Sequence, residues 1–438
     1  MYGNDNIKRA GAVCAFALMS ACMGGDGVSR SPMSLLGLSS DDAPAAKSDA
    51  ALDAQMENGS QSEIIASLLN RRSVLGDGAY AQIAAAVLAA NSRAAEADLR
   101  AAKLRAEARA SNWLPTIGPS VSLTSLGTVV TSILVEQVLF DNGKKKAERA
   151  YAAADVEVAA VTLAQDTNDR VLAGLSLYLA AQGAHARADV NAAAMERMRH
   201  FEYVMSERVK GGVSSRVDLQ IVQQKLNQMQ SDMASDQEAA AAATSELNAM
   251  AATPVGDIAG LSTLNFEDGT PLSVLKAQAE SSRAIAEATA ARAGFLPGLT
   301  AGGNLSDGLG LTVGAPNGIG FGLGASLKAV DAQKAAAAAR VGQVQEDANR
   351  RLRALEGELA SLQRQEAQAQ TLAAQAASNY EIFAAQQRAG QRAVPDVVGI
   401  FETKVRTERE AVGLKYQVAL VQLKIAALRG TLVNGEQI

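Results

Sequence analysis

Two short stretches carry the charged side chains best placed for chemistry: Gly212 followed by Val217-Asp218-Leu219, and Gly390 with Arg392 followed by Pro395-Asp396-Val397. In each, a carboxylate stands just beyond a glycine that breaks a helical run. Copies of Asp396 gathered around a narrow axis would repel one another and raise each other's pKa, and a nearby Arg392 would oppose that shift. The alternative is structural: Asp218 and Asp396 cap the helices that begin there, and Arg392 is a solvated surface charge. Phe140-Asp141-Asn142-Gly143 reads as a cap and turn at a helix start. Cys22 stands at the end of Met19-Ser20-Ala21-Cys22, where a cysteine can accept lipid. His185 and His200 are the only histidines, and with no cysteine or carboxylate cluster nearby they do not make a metal site. No nucleophile with its base, no phosphate loop and no dinucleotide fingerprint occurs, so the sequence does not support catalysis: no enzyme is expected, and no cofactor beyond a covalent lipid on Cys22.

The elements that must position these residues divide into two kinds. From Trp113 to Asp141 the odd positions Val121, Leu123, Val129, Ile133, Val135 and Leu139 are apolar, while Ser120, Ser122, Thr124, Thr128, Ser132 and Glu136 are polar. That period of two marks strands with one greasy face and one wet face. A looser copy runs from Phe295 to Leu327, where Leu299, Leu305, Leu309, Leu311, Ile319, Phe321 and Leu323 alternate mainly with Gly, Thr, Ser and Asn. The even glycines Gly302, Gly318, Gly320, Gly322 and Gly324 fit a strand, which the alternation extends over 320–326. Each stretch holds two strands of about ten residues, enough to cross a bilayer when tilted.

Everything else is helical in character. The chain has 438 residues, 4% aromatics and a net charge of -5 from well-mixed signs, which suits long packed helices and argues against a nucleic-acid partner. No proline lies between Pro119 and Pro254, so 144–209 is a candidate helix of about 66 residues, roughly 100 Å long. Asp331 to Arg388 is its counterpart. The segment 62–111 reads as helix broken around Gly76 and Gly78. Residues 1–21 read as a signal peptide: Lys8 and Arg9 precede the short apolar run from Ala10 to Leu18. Residues 22–60, poor in large apolar side chains, read as a flexible tether, lipidated at Cys22.

Internal repetition ties the pieces together. Trp113-Leu114-Pro115 recurs 182 residues later as Phe295-Leu296-Pro297, and Gly212 with Val217-Asp218-Leu219 recurs 178 later as Gly390 with Pro395-Asp396-Val397. The chain is thus a duplicated helix-strand-strand-helix unit: a first repeat over 61–253 with a hairpin at about 114–140, a linker over 254–272, a second repeat over 273–433 with a hairpin at about 296–327, and a tail over 434–438. Four strands cannot close a membrane barrel, because open edges in hydrocarbon leave N–H and C=O groups unpaired. Closure demands several copies. Three copies would supply twelve strands, although the argument leaves the copy number open.

At this point the chain resembles the TolC family of outer-membrane channel proteins, from about Ser62 to Val433. The resemblance is carried by Asn112-Trp113-Leu114-Pro115, by Val138-Leu139-Phe140-Asp141-Asn142-Gly143, and by the breaks from Gly212 to Asp218 and Gly390 to Asp396. It implies a mainly α fold with a membrane β-barrel portion: a homotrimer whose 12-stranded barrel lies in outer-membrane lipid and continues as a long periplasmic α-helical barrel. It implies an exit channel for efflux or type I secretion, working with a periplasmic adaptor and an inner-membrane pump or ABC exporter. Position by position, it sets Asp396 on an entrance aspartate, Arg392 on the arginine that bridges to the neighbouring helix pair, and Val217-Asp218 on its partners, together a periplasmic gate. Gly399 stands where a second entrance aspartate can occur, and Gln387 where some members carry tyrosine. The strand-to-helix passages fall at Phe140, Asp141 and Gly143 and, in the second repeat, at Lys328-Ala329-Val330-Asp331-Ala332. A periplasmic adaptor or a structural coiled-coil lipoprotein is the competing reading, but neither accounts for the duplicated strands. Palmitate should label the wild type and not Cys22→Ala; equal labelling of both would remove the lipid from this picture.

Overall fold

A computed structural model of the chain describes residues 62–437 apart from 91–93, 126–127, 256–257, 265–268, 305–307 and 316–319. The signal peptide, the tether and Cys22 lie outside the described residues. The first repeat contains α1 (Glu63–Leu69), α2 (Ala79–Ala89), α3 (Ala94–Ala110), β1 (Thr116–Ser125), β2 (Thr128–Phe140), α4 (Lys144–Lys210) and α5 (Arg216–Met250). The second contains α6 (Leu272–Gly294), β3 (Gly298–Asn304), β4 (Gly308–Gly314), α7 (Leu323–Arg388) and α8 (Val394–Arg429), and a 3-10 turn over Gly435–Gln437 follows. The duplication is close in size. The long helices have 67 and 66 residues, and their shorter returns 35 and 36.

The four strands form one antiparallel sheet in the order β1-β2-β3-β4. Its register explains why the alternation matters. Ile117 pairs with Val135 and Val135 with Gly303, while Ala301 pairs with Leu311 and Leu299 with Val313. Apart from the bulge that sets Phe140 opposite Leu299, odd positions therefore meet odd positions, so Ile117, Val135, Leu311 and Val313 share one face, and Thr116, Glu136, Gly302 and Gly310 share the other. The apolar face is uncovered: Ile117 is 72% exposed and Val313 71%.

The second hairpin corrects the sequence reading. The alternation predicted strand as far as 327, but β4 ends at Gly314 and Leu323 already begins α7. Leu323, Leu327 and Val330 also sit at helical spacing, and short apolar runs do not distinguish the two periods. The passage expected at Lys328 to Ala332 therefore lies inside α7. The true passage precedes Leu323 and contains Gly320-Phe321-Gly322, an aromatic beside glycine as in Phe140 to Gly143. The strands of this hairpin have seven residues each, shorter than the ten expected. The break in the first helical segment is also longer than expected, running from Asn70 to Gly78.

Three apolar clusters hold the helices. One joins α2 to α4 and α8 through Ile83, Val87, Leu175, Tyr178 and Leu423. A second lies near the helix breaks. A third sets α1 against α4 and the start of α6 through Leu68, Val161 and Leu275. The two ends of the described chain are tied by Arg71, which donates to the carbonyls of Arg429 at 2.6 Å and Thr270 at 2.6 Å. That guanidinium satisfies carbonyls left open at the end of α8. Gly430 closes the same helix with φ of 67°, and a Cβ there would meet Leu272 at 2.5 Å.

Glu157 on α4 gives this region a pH dependence. Burial pushes its carboxyl above the usual range, opposed by a hydrogen bond with Ser62. A carboxyl that holds its proton more tightly when folded supports stability at low pH and loses that support as pH rises through its folded pKa. Glu157→Gln should therefore melt higher than wild type at neutral pH, with the difference vanishing as pH falls through the carboxylate range in a thermal melt series.

Candidate functional site

The two helix breaks are built alike. After α4, Gly212 takes φ of 72°, its N–H donates to Val209 at 3.1 Å and the next N–H, of Val213, reaches back to Arg208 at 2.8 Å. After α7, Gly390 takes φ of 74°, its N–H donates to Gln387 at 3.0 Å and that of Gln391 to Gln386 at 2.9 Å. These are two Schellman endings. The left-handed conformation is what glycine supplies at low cost, so the repeated glycine that marked the duplication has a backbone reason.

The carboxylates are not N-caps, contrary to the structural alternative weighed from sequence. Ser215 caps α5, its Oγ accepting from the Val217 N–H at 3.1 Å, and Asp218 sits three residues further in. Asp396 takes the equivalent place in α8 behind Ala393, whose side chain makes no cap, with Pro395 supplying a position that needs no N–H. Both first-turn carboxylates face the favourable end of the helix dipole. Asp396 and Val217 are exposed and Asp218 is half-buried.

Arg392 folds onto its own turn. Its Nε donates to Gln386 Oε1 at 3.0 Å and its guanidinium carbon lies 4.5 Å from the centre of the Phe383 ring. Among the described residues it makes no contact with Asp218 or Asp396. The first break has a parallel arrangement, in which Arg208 Nε donates to Ser214 Oγ at 3.2 Å. Val217, Asp218, Arg392 and Asp396 thus share the same end of the two helix hairpins, and among the described residues no hydrogen bond or ion pair links the first two to the last two.

What joins the two hairpins lies behind the tips. Phe401 packs on Phe201 at 5.7 Å and Tyr380 at 5.0 Å, and Arg197 Nε donates to the Tyr380 hydroxyl at 2.7 Å. Met198, Met205, Val222, Val397 and Val398 fill the space around them. Lys225 on α5 pairs with Glu402 on α8. Further along, Asp236, only 7% exposed, accepts from Arg187 Nε at 2.9 Å and Arg409 Nη2 at 2.6 Å, while Arg409 Nη1 reaches Asp232 at 3.1 Å. One buried carboxylate on α5 therefore binds arginines from α4 and α8.

Sequence reasoning missed this cluster. Asp232 and Asp236 do stand one helical turn apart on one face of α5, a readable hint. Nothing in the chain order, however, pointed to Arg187 or Arg409 as their partners.

At the opposite end, the strand-to-helix junction behaves as its residues predict. Asp141 accepts from the N–H groups of Gly143 at 3.0 Å and Lys145 at 2.7 Å, and Asn142 and Gly143 both take left-handed φ, 55° and 82°. Asn142 Nδ2 donates to the Pro297 carbonyl at 2.9 Å, linking the first junction to the start of β3. Phe140 stays exposed.

This arrangement of a four-stranded sheet, two strand-to-helix junctions and two long helix hairpins is that of solved outer-membrane channels. A membrane protein from Pseudomonas aeruginosa superposes with a TM-score of 0.70 at 16% identity, over 84% of this chain and 94% of that one. The outer membrane protein VceC from Vibrio cholerae matches at 0.68 and 14%, over 81% and 97%. The open-state MtrE outer membrane channel of Neisseria gonorrhoeae matches at 0.68 and 15%, over 86% and 94%. No protein-family model and no curated protein sequence matches the chain. The fold is the one seen in these solved outer-membrane proteins, several of them channels.

Removing the Asp236 carboxylate leaves Arg187 without its carboxylate and Arg409 with Asp232 alone, a loss of about 3 kcal/mol. Asp236→Ala should therefore melt well below wild type, while Asp396→Ala, on an exposed first turn, should cost under about 1 kcal/mol.

Proposed function

We propose that this chain is the outer-membrane exit channel of a tripartite efflux pump or a type I secretion system, a passive homotrimeric conduit gated at its periplasmic end. The observation that carries this reading is the sheet. It has an uncovered apolar face and two open edges, β1 and β4, and a sheet in hydrocarbon must have its edges closed. Joining β4 of one copy to β1 of the next over three copies gives a twelve-stranded barrel, and the long helices then continue it into the periplasm. Solved proteins of this fold are described as outer membrane channels, which supports the same placement.

In such an assembly the two glycine turns stand at the far end from the membrane. Asp396 is exposed in the first turn of α8, where three copies would form a ring of carboxylates. Among the described residues Arg392 donates a hydrogen bond through Nε alone, so its terminal nitrogens are available to a neighbouring helix pair. Val217 and Asp218 head the other hairpin as the complementary side of the latch. An adaptor and an inner-membrane pump or exporter would supply energy and choose the cargo.

Planar-bilayer conductance tests the proposal. A small, flickering wild-type conductance should rise in Arg392→Ala, and cation block should weaken in Asp396→Ala. Silence from all three in preparations shown to be folded and trimeric would refute the conduit.

A further inference from the structure

Among the described residues three buried side-chain polar atoms have no hydrogen-bond partner: the Tyr80 hydroxyl, Asn191 Nδ2 and Arg409 Nε. Tyr80 belongs to the apolar cluster of α2, α4 and α8. The other two residues line one cavity. Asn191, on α4, is only 1% exposed. Arg409, on α8, gives Nη1 to Asp232 and Nη2 to Asp236, which leaves its buried Nε idle. Both atoms are donors, and a guanidinium nitrogen can never accept. Buried donors without a partner are costly, so the cavity lacks an acceptor that its own walls do not supply.

The cavity is half-open, measures about 510 Å³ and is walled by α4, α5 and α8, hence by both helix hairpins. That volume suits a small organic molecule. Met229, Val405 and Leu414 give it an apolar side. Gly413 lines it too, and a Cβ built there would meet nothing within 4 Å.

Its charges already balance. Asp232 and Asp236 are paired with Arg187 and Arg409, and Lys225 with Glu402. Arg406 and Glu410, both exposed at the rim, offset each other. An ion entering this space would bring a charge with no counter-charge left to meet it, and a half-buried ion without one is unfavourable. A neutral acceptor has no such cost.

From these observations we infer that the cavity is a binding site for an uncharged amphiphilic solute bearing a carbonyl group. The carbonyl oxygen has two lone pairs and takes both Asn191 Nδ2 and Arg409 Nε, while the apolar body lies on Met229, Val405 and Leu414. The inference stands independently of the membrane placement proposed above. Because both hairpins form the wall, occupancy fastens them together and raises the melting temperature.

Calorimetric titration of full-length protein in neutral detergent at pH 7 tests this with three probes of similar body. N-phenylacetamide is uncharged and carries the carbonyl, aniline is uncharged and lacks it, and benzoate has acceptor oxygens and a charge. Wild type should bind N-phenylacetamide saturably, at least about tenfold more tightly than either of the others, and melt higher in its presence. Asn191→Leu, which removes one donor, should weaken that binding by about tenfold. Gly413→Leu removes a glycine from a helix interior and fills the open part of the wall, so it should melt no lower than wild type and bind none of the probes. No saturable binding of N-phenylacetamide to wild type would overturn the inference. So would aniline or benzoate binding as tightly, or Gly413→Leu binding as wild type does. Where Asn191→Leu does not fold, Gly413→Leu and the ranking of the probes decide the matter.

Discussion

Backbone hydrogen bonding at β1 and β4 is the constraint on which the rest of this molecule depends. Within one chain the sheet satisfies its two inner strands and leaves the outer edges open. In water such an edge is a hazard of unwanted pairing, and in hydrocarbon each unpaired group costs several kcal/mol. The register makes the hydrocarbon setting coherent, because the same pairing that joins the strands gathers Ile117, Val135, Leu311 and Val313 on one side. Under the proposed membrane placement, covering that face with lipid and closing those edges with further copies are one requirement.

The helical part follows from the strands. Each hairpin feeds a long helix, and each long helix must turn back, which it does at Gly212 and Gly390 through identical backbone hydrogen bonds. Behind the turns, an aromatic and methionine cluster and then the Asp236 carboxylate fasten the second hairpin to the first. Among the described residues, no hydrogen bond or ion pair joins Val217, Asp218, Arg392 or Asp396 to the other hairpin. Packing is strong where the hairpins must stay together and sparse at their ends.

Much of this was legible in the sequence, because it rests on local chemistry. The absence of proline fixed the span of α4 almost to the residue, the period of two located β1 and β2, and a glycine at both breaks announced the turns. What failed did so where local signals overlap. Leu323 and Leu327 fit either period, so the second hairpin was drawn too long and its junction placed inside α7. Asp218 and Asp396 looked like caps because aspartate is a good cap, but Ser215 stood in the cap position and used it. The Asp236 cluster was invisible for a different reason. Its members come from three helices whose relative placement exists only after folding.

The continuity of α4 has a mechanical meaning. It runs for 67 residues, and no proline or cap interrupts it between the membrane-side junction and the distal turn. A rod about 100 Å long works as a lever: tilting it by about 5° at the junction sweeps its other end through about 9 Å. In the proposed conduit, changes of width at the distal end would therefore need only slight rotation near the sheet, and the strands could remain fully paired while the tips travel.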